Sequence, residues 1–152
     1  MKHVKNERGV GLIEVLVTLL ILSTTLIALS ALQTRSLQFN QGAYFRTQAN
    51  MLAYDMLDRI RVNDSLAAKE KISEYTMAET AASAATSDKS PLSKKDKNEW
   101  LKSIGASLPS GKGKITCNDN SRICRVEITW SELNSSGLAD EDASRFSFEA
   151  RI

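Results

Sequence analysis

The N-terminal region contains the stretch that decides the fold, residues 8–17, which read RGVGLIEVLV. Behind its acid, Glu14, no charged residue occurs from Val15 to Thr34. A helix of roughly 20 apolar residues is long enough to cross the ~30 Å hydrocarbon core of a bilayer. An acid in such a segment is unfavourable by about 2.5–3.5 kcal/mol if it lies deep in the membrane. Glu14 is therefore the first candidate functional residue, and the question is which group neutralises it.

The charge distribution orients this segment. The chain has 152 residues and a formal net charge of +2. Residues 1–9 carry Lys2, Lys5 and Arg8 against Glu7, so the whole excess lies in front of the apolar run. An excess of basic residues marks the cytoplasmic side of a membrane helix, and the rest of the chain is then expected across the membrane. So small a net charge gives no argument for a nucleic-acid partner, and none is predicted.

Three interpretations compete for residues 1–34. A secretory signal peptide has an apolar run of about 7–15 residues with a small-residue cleavage site behind it. Here the run is longer, and no break follows the small residues Ala28 and Ser30. A plain uncleaved anchor explains the length and the orientation, but it gives no reason for Glu14.

The third interpretation rests on Gly9, the apolar residue after it, and Glu14 as the fifth residue after the glycine. This spacing resembles the class III (prepilin) signal of type IV pilins and type II secretion pseudopilins. The resemblance implies cleavage between Gly9 and Val10 by a prepilin peptidase and N-methylation of Val10, although phenylalanine is usual at that position. Cleavage would create a cationic amine one helical turn from Glu14. A buried charge needs a partner, so Glu14 is expected to pair with this amine or with that of a neighbouring subunit during assembly.

Two further blocks narrow the resemblance. Residues 52–63 (LAYDMLDRIRVN) and 99–113 (EWLKSIGASLPSGKG) look like segments of the type IV pilus modification protein family, the PilV minor pilins. That family implies a minor pilin that takes part in initiating pilus assembly or lies at the pilus tip, and hence in twitching motility and adhesion. A minor pseudopilin of a type II secretion system is the alternative, and a periplasmic binding module on a simple anchor is a third hypothesis.

The resemblance also implies partners and a location. The partners are the prepilin peptidase, other minor and major pilins, the inner-membrane pilus assembly machinery and the lipid bilayer. The chain is expected to cross the inner membrane of a Gram-negative bacterium once, with a cytoplasmic N-terminus and a periplasmic head. After assembly it is expected in the pilus, or fimbrium, on the cell surface.

The predicted organisation is a leader (1–9), a transmembrane helix (10–34), its amphipathic continuation (35–63) and a periplasmic head (64–152). The continuation has one apolar face at helical spacing, formed by Phe45, Ala49, Leu52, Met56 and Ile60. A single helix of about 50 residues is therefore expected, with Asp55 and Arg59 paired on its outer face.

The head is predicted to be small and α+β. Residues 64–97 favour a surface loop with short helical pieces around 65–77. A second amphipathic helix is expected at 93–108, capped by Ser93 and burying Trp100. Alternating residues predict an antiparallel sheet over 113–152. The fold class is thus α+β and type IV pilin-like, with a long N-terminal helix packed on a small antiparallel sheet.

The two cysteines, Cys117 and Cys124, lie in the exported part and are expected to form a disulfide across a hairpin that turns at Asn120 and Ser121. No catalytic constellation was found, since the single histidine, His3, lies in the leader. The acidic residues 140–142 lack calcium-loop spacing. The sequence therefore predicts no enzyme activity, no metal and no cofactor.

Overall fold

The computed structural model describes residues 11–65, 71–87, 91–132 and 144–152. Its regular elements are the helix α1 (Leu12–Ser65), the strand β1 (Met77–Ala81), the helix α2 (Leu92–Ser107) and the strands β2 (Lys112–Asn118), β3 (Ile123–Trp130) and β4 (Ser144–Arg151). A long N-terminal helix is thus combined with one four-stranded antiparallel sheet. The predicted α+β fold class is confirmed.

The chain divides into two compact units, one up to Phe39 and one from Asn40 onward. In the first unit α1 exposes its large apolar side chains, for example Leu12 at 86% and Ile27 at 70%. By length and composition α1 can cross a membrane, and no residue of its most apolar window is buried in the protein. An apolar helix that buries none of its side chains within its own fold needs an apolar surrounding.

In the second unit the remaining part of α1 forms one wall of the core. Its buried residues recur at spacings of three and four, as the apolar pattern predicted: Ala49, Ala53, Met56, Leu57, Ile60 and Asn63. Phe45 and Leu52 of the predicted face pack against this core while partly exposed. The other walls are the inner face of the sheet and α2, with Trp100, Ile104, Ile115, Val126, Ile128 and Trp130 buried between them.

The sheet is a meander in the order β1-β2-β3-β4, and every neighbouring pair is antiparallel. Cys117 lies directly opposite Cys124 in the register of β2 and β3. The loop between these strands is centred where predicted, but it spans residues 119–122 and closes with the Arg122 amide donating to the Asn118 carbonyl at 3.0 Å. Arg122 has a φ of 58°, the left-handed conformation that ends such a loop.

The prediction of a surface loop over 64–97 with short helical pieces around 65–77 agrees with a helical turn in this range but missed a strand. A 3₁₀ turn at Ile72–Tyr75 buries Ile72 and Tyr75, and β1 follows as an edge strand paired with β2. The sequence of β1 has weak strand propensity, so its conformation is set by the partner strand and not by local preference.

The second helix differs in detail from its prediction. It runs from Leu92 to Ser107, Pro91 occupies the N-cap position, and Ser93 is buried in the first turn instead of capping it. Proline suits this place because it has no backbone N–H, and an N–H group at the start of a helix has no acceptor within the helix. The predicted burial of Trp100 is confirmed, since its side chain is fully inaccessible.

Candidate functional site

The predicted processing site is described only in part. Gly9 and Val10 lie outside the described residues, and α1 begins at Leu12. Glu14 is in the first turn of α1, where its amide donates to the Gly11 carbonyl at 2.9 Å and its side chain is exposed. A carboxylate in this position interacts favourably with the positive end of the helix dipole. The structure thus places Glu14 at the start of the apolar helix, and its pairing with an amine remains a prediction.

The apolar segment contains six side chains with a hydroxyl group, and all six form hydrogen bonds within α1. Each donates to a backbone carbonyl three or four residues earlier at 2.7–3.0 Å: Thr18, Ser23, Thr24, Thr25, Ser30 and Thr34. In a membrane an unsatisfied hydroxyl is unfavourable, so these bonds make the segment compatible with lipid. The sequence interpretation did not use these residues, although serine and threonine inside an apolar helix are the signal for such bonds.

A polar cluster joins α1 to α2. Arg59 contacts Asp55 at 2.9 Å, Glu99 at 3.1 Å and Asp96 at 3.5 Å. Partial burial lowers the pKa of Arg59, but its hydrogen bonds to Asp55 and Glu99 outweigh this effect and hold the pKa above its ordinary value. The predicted pair of Asp55 and Arg59 is thus present and exposed, and Arg59 in addition links α1 to α2.

The same contact includes buried polar side chains. The Tyr75 hydroxyl donates to Asp96 at 2.7 Å and accepts from the Asn63 amide at 3.0 Å. The Trp100 indole donates to the Leu52 carbonyl at 2.8 Å. The sequence blocks 52–63 and 99–113 thus contact each other. Their residue types are explained by this contact, and the part played by Asp96 and Tyr75 was missed because it is non-local.

The hairpin of β2 and β3 carries the disulfide. Cys117 and Cys124 are joined with their Cα atoms 4.1 Å apart, as predicted, and both are buried. The loop of this hairpin is tied to the end of α1, because Arg122 donates through both terminal nitrogens to Asp64. These hydrogen bonds raise the pKa of Arg122.

The loop also binds the 3₁₀ turn. Asp119 accepts hydrogen bonds from the Ser73 amide at 3.0 Å and from the Ser73 hydroxyl. Both hydrogen bonds lower the pKa of the Asp119 carboxyl below its ordinary value, and the bond from the Ser73 hydroxyl has the larger effect. The loop between the two cysteines therefore serves to hold the head together.

The described residues show no group of three side chains suited to a metal ion. His3 and the acidic residues 140–142 lie outside the described residues. The head is thus a packed unit in which hydrogen-bonded polar side chains join several of its elements.

Two family models match the chain. A model of the prokaryotic N-terminal methylation motif matches residues 4–30, and the model of the type IV pilin Tt1218 matches residues 31–97. The first match contains Gly9, Val10 and Glu14, and the second contains the 52–63 block. No curated protein and no solved structure matches the chain.

Proposed function

We propose that this chain, a type IV pilin with a prepilin N-terminal methylation motif, is a minor pilin of a type IV pilus. Type IV pilins are membrane-anchored structural subunits and in general not enzymes. In this proposal residues 1–9 are removed by the prepilin peptidase, Val10 becomes the methylated N-terminus, and the mature chain joins the complex that starts pilus assembly or the pilus tip. Twitching motility and adhesion would depend on it through the pilus.

The observation that carries the proposal is the position of Glu14. It lies in the first turn of an exposed helix of membrane length, inside the methylation motif. A carboxylate there is unfavourable in lipid unless a cation meets it, and cleavage after Gly9 supplies one four residues away. A leader that is removed explains both the glycine and the acid, which a plain anchor does not.

The finer assignment is to the PilV minor pilins. It is supported by residues 52–63 and 99–113, whose side chains form the α1–α2 contact through Arg59, Glu99 and Trp100. The proposed topology has a cytoplasmic N-terminus and a periplasmic head that carries the disulfide. The proposed partners are other minor and major pilins and the inner-membrane assembly machinery.

Mass spectrometry of the mature chain tests the processing. The chain is expressed in a bacterium that possesses the peptidase, purified from membranes and measured intact. We expect an N-terminus at Val10 that carries one methyl group, and a Gly9→Leu variant that keeps its leader. A mature N-terminus elsewhere, or a retained leader in the wild type, contradicts the proposal.

A deletion strain separates the pilus from the secretion system. We expect loss or strong reduction of surface pili with secretion of exported enzymes intact. Cells that keep their pili and fail to secrete those enzymes would instead assign the chain to a type II pseudopilus, whose subunits share the same N-terminal motif.

A further inference from the structure

The C-terminal strand β4 presents an open edge. It pairs with β3 over eight consecutive residue pairs without a bulge, and no other described strand lies beside it. The Ile152 amide donates to the Arg122 carbonyl at 2.8 Å, so residues of even number face β3 with their backbone groups. The amides and carbonyls of the odd residues consequently point to the open edge: Arg145, Ser147, Glu149 and Arg151.

The other edge of the sheet is built differently. β1 has only five residues, its register shifts between Met77 and Thr80, and 3₁₀ turns flank it on both sides. Short length and bulges are the devices by which proteins protect edge strands from pairing. β4 has neither device, so only this edge offers a regular row of hydrogen-bonding groups.

The helix-facing side of β4 is apolar and incompletely covered. Phe146, Phe148 and Ala150 pack against the core while remaining partly exposed. The ring of Tyr54 in α1 lies 4.7 Å from that of Phe148 and is itself 43% exposed. A strand added to the edge would place its own inward side chains over this row.

The outward-facing side of β4 is basic. Arg145 and Arg151 are exposed, whereas Glu149 already accepts a hydrogen bond from Arg125 at 2.8 Å. A cleft of about 570 Å³ adjoins the start of the strand, lined by Arg46, Thr47, Asn50, Trp130, Ser144, Arg145 and Phe146.

The two arginines of this cleft, Arg46 and Arg145, form no ion pair with a described residue. Glu132, which follows β3, instead accepts a hydrogen bond from the Trp130 indole at 2.9 Å. The edge and the cleft together therefore favour an acidic occupant.

We propose that the open edge of β4 and the adjoining cleft receive an extended, acidic polypeptide strand of a neighbouring pilus subunit. Its main chain would bond the odd residues of β4, its apolar side chains would cover Phe148 and Tyr54, and its acids would meet Arg145, Arg151 and the cleft. Strand addition of this kind draws affinity from main-chain bonds and specificity from alternate side chains. That the partner is a pilus subunit rests on the proposed function, whereas the binding of an acidic strand does not.

A second copy of β4 is a poor occupant. It would bring its own exposed Arg145 and Arg151 to an edge that is already basic, and like charges on neighbouring strands are unfavourable. The strand is therefore expected to come from a different element.

Hydrogen exchange on the full-length chain in detergent micelles tests the edge. The probe is a blocked peptide of about eight residues that alternates glutamate and valine. Its controls are a lysine–valine peptide of the same pattern and a glutamate–valine peptide with N-methylated amides. We expect the acidic peptide alone to slow exchange of the Arg145, Ser147, Glu149 and Arg151 amides, by about tenfold or more at saturation. Equal protection by the lysine peptide, or no protection by any, overturns the proposal.

A pair of variants at one position supplies the matched control. Ser147→Pro removes an amide that points away from β3, a place where an edge strand tolerates proline, so the head is expected to stay folded with its Phe148 and Ala150 amides protected. Ser147→Ala keeps the amide. The acidic peptide should protect the alanine variant and lose at least tenfold in affinity for the proline variant. Equal binding to both variants overturns the proposal.

The source of the strand is tested in cells. With a photo-cross-linking amino acid in place of Ser147, we expect cross-linking to another pilin whose cross-linked peptide is an acidic strand, and none in the Ser147→Pro background with the same photo-cross-linker in place of Glu149. A cross-linked peptide from a protein outside the pilus overturns the subunit as partner. Failure of the proposed function would appear separately, as a mature N-terminus other than Val10.

Discussion

Individual side chains tie the hairpin loop to the rest of the head. Asp119 bonds Ser73 in the 3₁₀ turn, and Arg122 bonds Asp64 at the end of α1. Each of these contacts spans more than 40 residues of sequence. Exposed charged pairs contribute little as a rule, so the value of these residues lies in the loop geometry that they fix.

The Asp119 contact predicts a pH dependence. Because the pKa of this carboxyl is lowered in the folded protein, its stabilisation is present above the pKa of the unfolded chain and is lost as the pH falls through the folded value. We expect Asp119→Asn to unfold at a lower temperature than wild type at pH 6, with the difference disappearing at about pH 2. Circular-dichroism melts in micelles over this range provide the measurement. Asp58→Asn, which removes an exposed helix pair, serves as the control, and a difference that persists unchanged at low pH would contradict the prediction.

At the scale of elements, α2 and β2 pack closely against each other. A Cβ atom at Gly113 would overlap the ring of Trp100, so the absence of a side chain there allows the strand to approach the helix. Gly42 in α1 is the opposite case, because an added methyl group would meet only ordinary contacts with the Glu132 side chain. The two glycines therefore have different reasons to be present.

This contrast gives a prediction with its own control. Gly113→Ala should destabilise the head by about 1–3 kcal/mol through overpacking against Trp100. Gly42→Ala should stabilise α1 by about 0.5–1 kcal/mol, since glycine is a poor helix former. Denaturant unfolding monitored by tryptophan fluorescence measures both. Equal effects of the two substitutions would show that the contact with Trp100 is not limiting.

The hairpin disulfide is the second prediction at this scale. Cys117 and Cys124 are seven positions apart, so the chain-entropy model gives a contribution of about 2.5 kcal/mol. The double Cys→Ala variant should lose roughly this much stability and keep the four-stranded sheet. Unfolding midpoints of the wild type with and without reductant check the value. An unchanged midpoint in the double variant would assign no stabilising role to the bond.

At the scale of the whole molecule, the chain combines an apolar helix that needs a foreign environment with a head that buries its own core. In the head, hydrogen-bonded side chains join α1 to α2 and the hairpin loop to α1 and to the 3₁₀ turn, whereas the amine expected to neutralise Glu14 lies outside the described residues. The head therefore has a buried core of its own, but the N-terminal helix reaches its lowest free energy only beside lipid or other helices.

Glu14 is accordingly predicted to matter for assembly and not for anchoring. Glu14→Ala should reach the membrane at wild-type levels but enter sheared pili at least tenfold less, because a broken buried ion pair is unfavourable by about 3–5 kcal/mol. Thr18→Val, one turn further along α1, should behave as wild type. The ratio of the chain in pili to that in membranes is the readout. Normal incorporation of Glu14→Ala would favour the simple anchor with a binding module.

Local patterns predicted what depends on local physics. The apolar run, the face of α1 from Phe45 to Ile60, the burial of Trp100 and the cysteine hairpin follow from periodicity and spacing. The strand β1 escaped prediction because its alanine-rich sequence takes its conformation from β2. The link from Arg59 to Glu99 escaped as well, since two residues 40 positions apart give no periodic signal.

The hydroxyl groups of the apolar segment have one more consequence. Each of the six donates to the helix that carries it, so none of these hydroxyl groups needs an acceptor from its surroundings. For these hydroxyl groups, lipid and an apolar protein surface are therefore equivalent surroundings. If the segment moves from lipid to a bundle of similar helices, as the proposed function requires, these six hydroxyl groups keep their hydrogen bonds, and Glu14 is the charged group whose surroundings change.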